Sequence, residues 1–114
     1  MAFALAWLDP AQRTFDDLMS QAQMAFDQRK GQGKSTKVEG LFKQTNKCIE
    51  LLVANPRHPG LQTHEFNGIA HPYDRKQKVF EAYAQNRTPG AYRVFWCYGP
   101  GKNQITIIAI TPHP

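Results

Sequence analysis

Apolar and polar positions follow a helical period in the first half of the chain and a two-residue period in the second. Phe3, Leu5 and Trp7 alternate with Ala4, Ala6 and Leu8, a short strand that ends at Asp9-Pro10. Phe15, Leu18, Met19, Ala22 and Phe26 then keep the i, i+3, i+4, i+7, i+11 spacing of one helical face. This predicts a helix over 14–29, capped by Thr14 and stopped in Gly31-Gln32-Gly33. A second helix over 36–54 opens on Thr36 and Glu39, the residue pair of a capping box. Its stripe runs through Val38, Leu41, Phe42, Thr45, Cys48, Ile49 and Leu52, and Asn55-Pro56 closes it, because a residue before proline avoids the helical region. The pair forms an αα-hairpin.

Beyond Pro59-Gly60 the pattern changes to strands and turns. Leu61 to Phe66 reads as a short strand, followed by a polar loop through His71, Pro72 and Asp74. Lys78 to Ala84 is a further strand, and Thr88-Pro89-Gly90 a turn. Ala91 to Tyr98 places Tyr92, Val94, Trp96 and Tyr98 on one face and Arg93, Phe95 and Cys97 on the other. Gly99 to Asn103 is a hairpin loop. Gln104 to Ile110, almost wholly β-branched, belongs in the interior of the sheet. The expected fold is α+β over 1–114 as one domain: an N-terminal strand, then a helical hairpin packed on one face of an antiparallel sheet of about four to five strands. The other face is left for a ligand.

Composition adds a charge. The 114 residues carry 14 Lys and Arg against 9 Asp and Glu, a net +5, which favours polyanionic partners. Cys48 and Cys97 lie in separate apolar segments and read as buried thiols. The apolar run from Ala2 to Leu8 has no basic residue ahead of it and is too short for a signal core. No run reaches membrane-spanning length, so a cytoplasmic protein is expected.

The remaining motifs carry little chemistry. Gly31-Gln32-Gly33-Lys34-Ser35-Thr36 suggests a phosphate-binding loop, but position 28 is Gln where that motif needs Gly, and a helix precedes it instead of a strand. It reads as a helix–helix connection, with no nucleotide cofactor. His58, His64, His71 and His113 lack ligand spacing, so no metal is expected. Arg93 is different: a charge inside an apolar strand needs a partner, for which Glu81 is placed, or a ligand. Taking Gly101 as the hairpin midpoint sets Arg93 opposite Ala109, with His113 four residues further on as a group titrating near neutrality.

The N-terminal strand, the hairpin ending in Asn55-Pro56, then Pro59-Gly60-Leu61 and the strand pair carrying Tyr92-Arg93-Val94 resemble the RelE/ParE superfamily of type II toxin–antitoxin toxins. The resemblance spans nearly the whole chain in order of elements, and its motif content is concentrated in residues 55–68 and 91–113. It implies a toxin that cleaves mRNA, on or off the ribosome, without metal or cofactor, inhibits translation, and is held by a small acidic antitoxin. In the ribonuclease branches an arginine on the penultimate strand stabilises the scissile phosphate, and Arg93 matches it. In the YoeB-like branch a histidine near the C-terminus acts as acid or base, matched by His113, and His64 and Glu65 occupy the neighbourhood of that branch's carboxylate. Lys76, Lys78 and Arg87 would hold the RNA backbone, and Tyr83 or Tyr98 would stack on a base. The paired lysines of RelE itself find only loose counterparts in Lys76 and Lys78, and the loop from Ile69 to Gln77 is longer than the pattern. Gyrase-poisoning toxins of the same superfamily, and inactive relatives that only bind an antitoxin or a nucleic acid, share the implied fold.

Overall fold

The structure, a computed structural model, describes residues 2–86 and 89–112. The elements run β1 (Ala4–Trp7), α1 (Asp9–Gln28), α2 (Lys37–Ala54), a 3-10 turn at Pro59–Leu61, β2 (His64–Glu65), β3 (Phe80–Tyr83), β4 (Tyr92–Tyr98) and β5 (Gln104–Pro112). They form a five-stranded sheet in the order β1-β5-β4-β3-β2. It is antiparallel except at one edge, where β1 lies parallel to β5.

Helix α1 starts five residues before Thr14, at Asp9, with Leu8 as its N-cap and Pro10 in the first turn. The proline that ends the strand thus also begins the helix, since its missing N–H costs nothing there and its fixed φ suits the first turn. Thr14 instead returns its hydroxyl to the Pro10 carbonyl at 3.0 Å. Helix α2 begins as the capping box predicts, with Thr36 and Glu39 each satisfying the other's backbone N–H. Arg29 ties the two helices together: Nη2 meets Glu39 Oε1 at 2.7 Å, and Nη1 donates to the carbonyls of Gln32 and Gly33. The Gly-Lys-Ser-Thr segment is therefore a latched helix–helix link.

The helices cover one face. Ala11, Cys48, Ile49 and Leu52 pack on Ala82, Val94, Trp96, Ile105, Ile107 and Ile110, all buried. The β4–β5 pairing differs from a simple count about Gly101. Tyr98 pairs with Ile105, and a bulge at Ile108 follows, so Arg93 faces Thr111 in place of Ala109. The bulge lets Ile107 and Ile110 share the helical face while Ile108 turns to the opposite one.

That opposite face is partly closed. Phe66 and Ile69 pack across Val79, Phe95, Cys97 and Ile108. His71 anchors the loop: Nε2 meets the Tyr98 carbonyl at 2.9 Å, and Nδ1 accepts from the backbone N–H groups of Tyr73 and Asp74. Those partners require a neutral ring with its proton on Nε2. Thr106 Oγ1 adds a tie, donating to the Gly99 carbonyl and lying 3.0 Å from the Tyr73 hydroxyl. No helix among the described residues is long and apolar enough to cross a membrane.

Candidate active site on the open face of the sheet

Strand alternation decides which side chains reach the open face. In β3 these are Glu81 and Tyr83. In β4 Arg93 pairs with Tyr83, and His64 of β2 pairs with Glu81. The loop anchored by His71 stops short of this end, leaving a polar group beside the apolar cluster of Phe66 and Phe95.

The Arg93 guanidinium lies flat over the Tyr83 ring, 3.6 Å from its centroid. Its Nη1 donates to the Gln85 carbonyl at 2.8 Å and to that of Tyr92 at 3.3 Å. Its Nε is buried and meets no acceptor among the described residues. On the other side of Tyr83, the His64 ring meets the tyrosine edge-on at 5.8 Å. Tyr83 thus links the arginine to the histidine.

Glu81 supplies the second link. It is 1% exposed, and its Oε1 lies 2.6 Å from Nε2 of the half-exposed His64. The other ring nitrogen, Nδ1, lies 3.1 Å from the carbonyl of Gln62, whose left-handed backbone (φ 49) turns that carbonyl back toward the ring. A carboxylate on one nitrogen and a carbonyl on the other are both acceptors, and only the imidazolium can donate to both at once. This face therefore brings a guanidinium and an imidazole to one aromatic ring, with a buried carboxyl group behind. Beneath the loop, burial pushes the Cys97 thiol up to about 11.

No protein-family model matches the sequence, and no curated protein matches it. Solved structures match the fold across nearly its whole length. A YoeB/ParE toxin from Agrobacterium tumefaciens superposes with a TM-score of 0.62 at 8% identity, over 97% of this chain and 99% of that one. The archaeal RelE-RelB complex from Pyrococcus horikoshii OT3 gives 0.56 at 11%, covering 98% and 96%. The intact E. coli RelBE toxin-antitoxin complex gives 0.55 at 12%, covering 99% of each chain. The chain has the RelE/ParE toxin fold. At these identities the likeness is one of backbone architecture, and any chemistry has to come from this chain's own side chains.

Within the RelE-type fold, the candidate residues separate. Arg93, Tyr83 and His64 come together. Glu65 does not: it pairs with Phe80 on the helix side of the sheet and meets Lys78 Nζ at 3.1 Å. Adjacent strand residues point to opposite faces, so His64 and Glu65 could not both join Arg93. Lys78 goes with Glu65, and Lys76 lies in the exposed loop, its N–H on the Asp74 carboxylate. Tyr98 also faces the helix side, against Trp96, Phe80 and Phe3. Arg87 and His113 lie outside the described residues. Among the described residues, no cluster of His, Cys, Asp and Glu is large enough to hold a metal.

The sequence reading considered Glu81 as the acid for Arg93. The structure gives its Oε1 to His64 and sets Arg93 against Tyr83. The signal was present: a glutamate between Val79 and Tyr83 at the inward phase of an apolar strand. The missing information was that β2, with His64, is the neighbour of β3 on the side away from β4.

Proposed function

We propose that the chain is the toxin of a toxin–antitoxin pair and acts as a metal-independent endoribonuclease on mRNA, stopping translation. The observation that carries the reading is the convergence of Arg93 and His64 on the Tyr83 ring, on the sheet face away from the helices. In this chemistry a base takes the 2′-hydroxyl proton, the 2′-oxygen bonds to phosphorus, the P–O5′ bond breaks, and an acid protonates the 5′-oxygen. Arg93 stabilises the charge building on the phosphorane, a role worth about 2.7–4 kcal/mol of barrier for one well-placed donor. Its buried Nε–H has no acceptor among the described residues, which is unfavourable at rest, and a phosphate oxygen would relieve it. His64 and His113 supply acid and base, and Tyr83 offers a ring to an unstacked base. Lys76 and Arg87 add positive charge for the RNA backbone. A small acidic antitoxin would be its partner, in the cytoplasm.

A second reading rests on Arg93 as well. Its burial and its bonds to Gln85 and Tyr92 also fit a structural arginine in a relative that only binds its antitoxin. Induced expression separates the two. The ribonuclease should arrest translation and shorten cellular mRNA. Arg93→Ala should abolish both while circular dichroism and melting show a folded domain, and Arg93→Lys should recover little, because an ammonium cannot reproduce the guanidinium fork. Intact mRNA with trapped gyrase–DNA complexes would replace this reading with a gyrase poison. Absence of toxicity with antitoxin binding retained would favour the non-catalytic relative.

A further inference from the structure

We infer that His64 is the general acid of the cleavage, working through Nδ1, and that buried Glu81 is the residue that positions and charges it. The inference rests on the ribonuclease reading and assigns the direction of proton transfer within it. The two hydrogen bonds of the His64 ring are unequal. Nε2 is bound at 2.6 Å to a carboxylate that is 1% exposed and fixed on β3, an interior strand of the sheet. Nδ1 is bound at 3.1 Å, in an exposed position, to a carbonyl only two residues away. The first holds the ring, and the second is readily exchanged for a ligand oxygen.

The direction follows from charge. Acceptors beside both nitrogens favour the ring form that carries two protons, which can give one and cannot take one. The acid step then balances. As the P–O5′ bond breaks, its electron pair goes to the 5′-oxygen, which takes the Nδ1 proton. His64 is left neutral, with its Nε2 proton still donated to Glu81. Glu81 remains a hydrogen-bonded carboxylate throughout, as the third group does in a nucleophile–histidine–carboxylate array. The base that accepts the 2′-hydroxyl proton has to come from elsewhere, and His113 is the candidate. Tyr83, edge-on to His64 and under Arg93, sets the spacing between the acid and the phosphate-binding group.

The test uses the full-length chain and two RNA oligonucleotides, one natural and one with sulfur bridging at the 5′ position of the scissile phosphate. A thiolate leaves without protonation, so the sulfur substrate bypasses a general acid. On natural RNA, His64→Ala should slow cleavage by about 10²–10⁴-fold, the usual range for acid–base catalysis. On the sulfur substrate it should cleave at nearly the wild-type rate, and Glu81→Gln should show the same selective rescue. Equal impairment on both substrates would overturn the acid assignment. Wild-type protein that cleaves neither would overturn the ribonuclease reading, and the acid role with it. Ring 15N shifts of His64 in the wild-type protein test the Glu81 anchor independently of activity and of any variant's folding. Two protonated ring nitrogens at neutral pH are expected, and a neutral tautomer would overturn the inference.

Discussion

Arg93 occupies a position in β4 flanked by Tyr92 and Val94, where a charge is tolerated because its guanidinium face and one terminal nitrogen are engaged. The flat face rests on Tyr83, and one terminal nitrogen bridges to the turn carbonyl of Gln85. Removing it therefore has a structural cost separate from any catalytic one, about 1.5–3 kcal/mol for a lost charged hydrogen bond. Urea unfolding of Arg93→Ala should show this as a lowered midpoint, still within a folded protein. The cysteines show the opposite case of a reactive group made inert. Burial pushes Cys48 up to about 12 and Cys97 up to about 11. Both should resist a thiol reagent at about pH 8 in the native protein and react promptly in denaturant, because only the thiolate is nucleophilic. Rapid native labelling of either would show that it is not packed as described.

At the scale of elements, the helical hairpin depends on the link between α1 and α2. Glu39 accepts from Arg29 and from the Thr36 backbone, and those bonds hold its carboxyl down to about 2 from an ordinary 4.5. The sign is that of a depressed acid. As pH falls, the unfolded chain takes up this proton first, so the latch contributes fully above about 4.5 and is lost as pH approaches 2. Urea midpoints measured from neutrality down to about pH 2 should fall over that window, and Glu39→Gln should flatten this part of the fall. Thr36→Ala should cost about 1 kcal/mol by removing the cap.

For the whole molecule, function depends on what covers each face of the sheet. The helices close one side and the loop through His71 closes part of the other, so the remainder carries exposed His64 and half-buried Tyr83 beside a buried Arg93. His71 is the chief fastening of that loop, since its ring reaches three backbone groups. His71→Ala should free the loop and raise tryptic cleavage at Arg75, Lys76 and Lys78, with a stability loss of about 1–3 kcal/mol from orphaned buried groups. Wild-type protease resistance in this variant would mean that the apolar contacts of Phe66 and Ile69 hold the loop alone.

The elements themselves were legible in the chain because their signals are local. The stripe from Val38 to Leu52, the Thr36–Glu39 box and the alternation of Tyr92 to Tyr98 each depend on near neighbours, and each formed as its spacing requires. The helical hairpin on one sheet face followed from the same periodicities. Tertiary structure decided what joins residues far apart. The parallel seating of β1 on β5, the hairpin register and bulge that together move Arg93 from Ala109 to Thr111, and the pairing of Glu81 with His64 all depend on tertiary structure. A two-residue period assigns a face to each side chain but names no neighbouring strand. Arg93 was therefore identifiable from its place in an apolar strand, while the His64–Glu81 pair became visible only once β2 was seated beside β3.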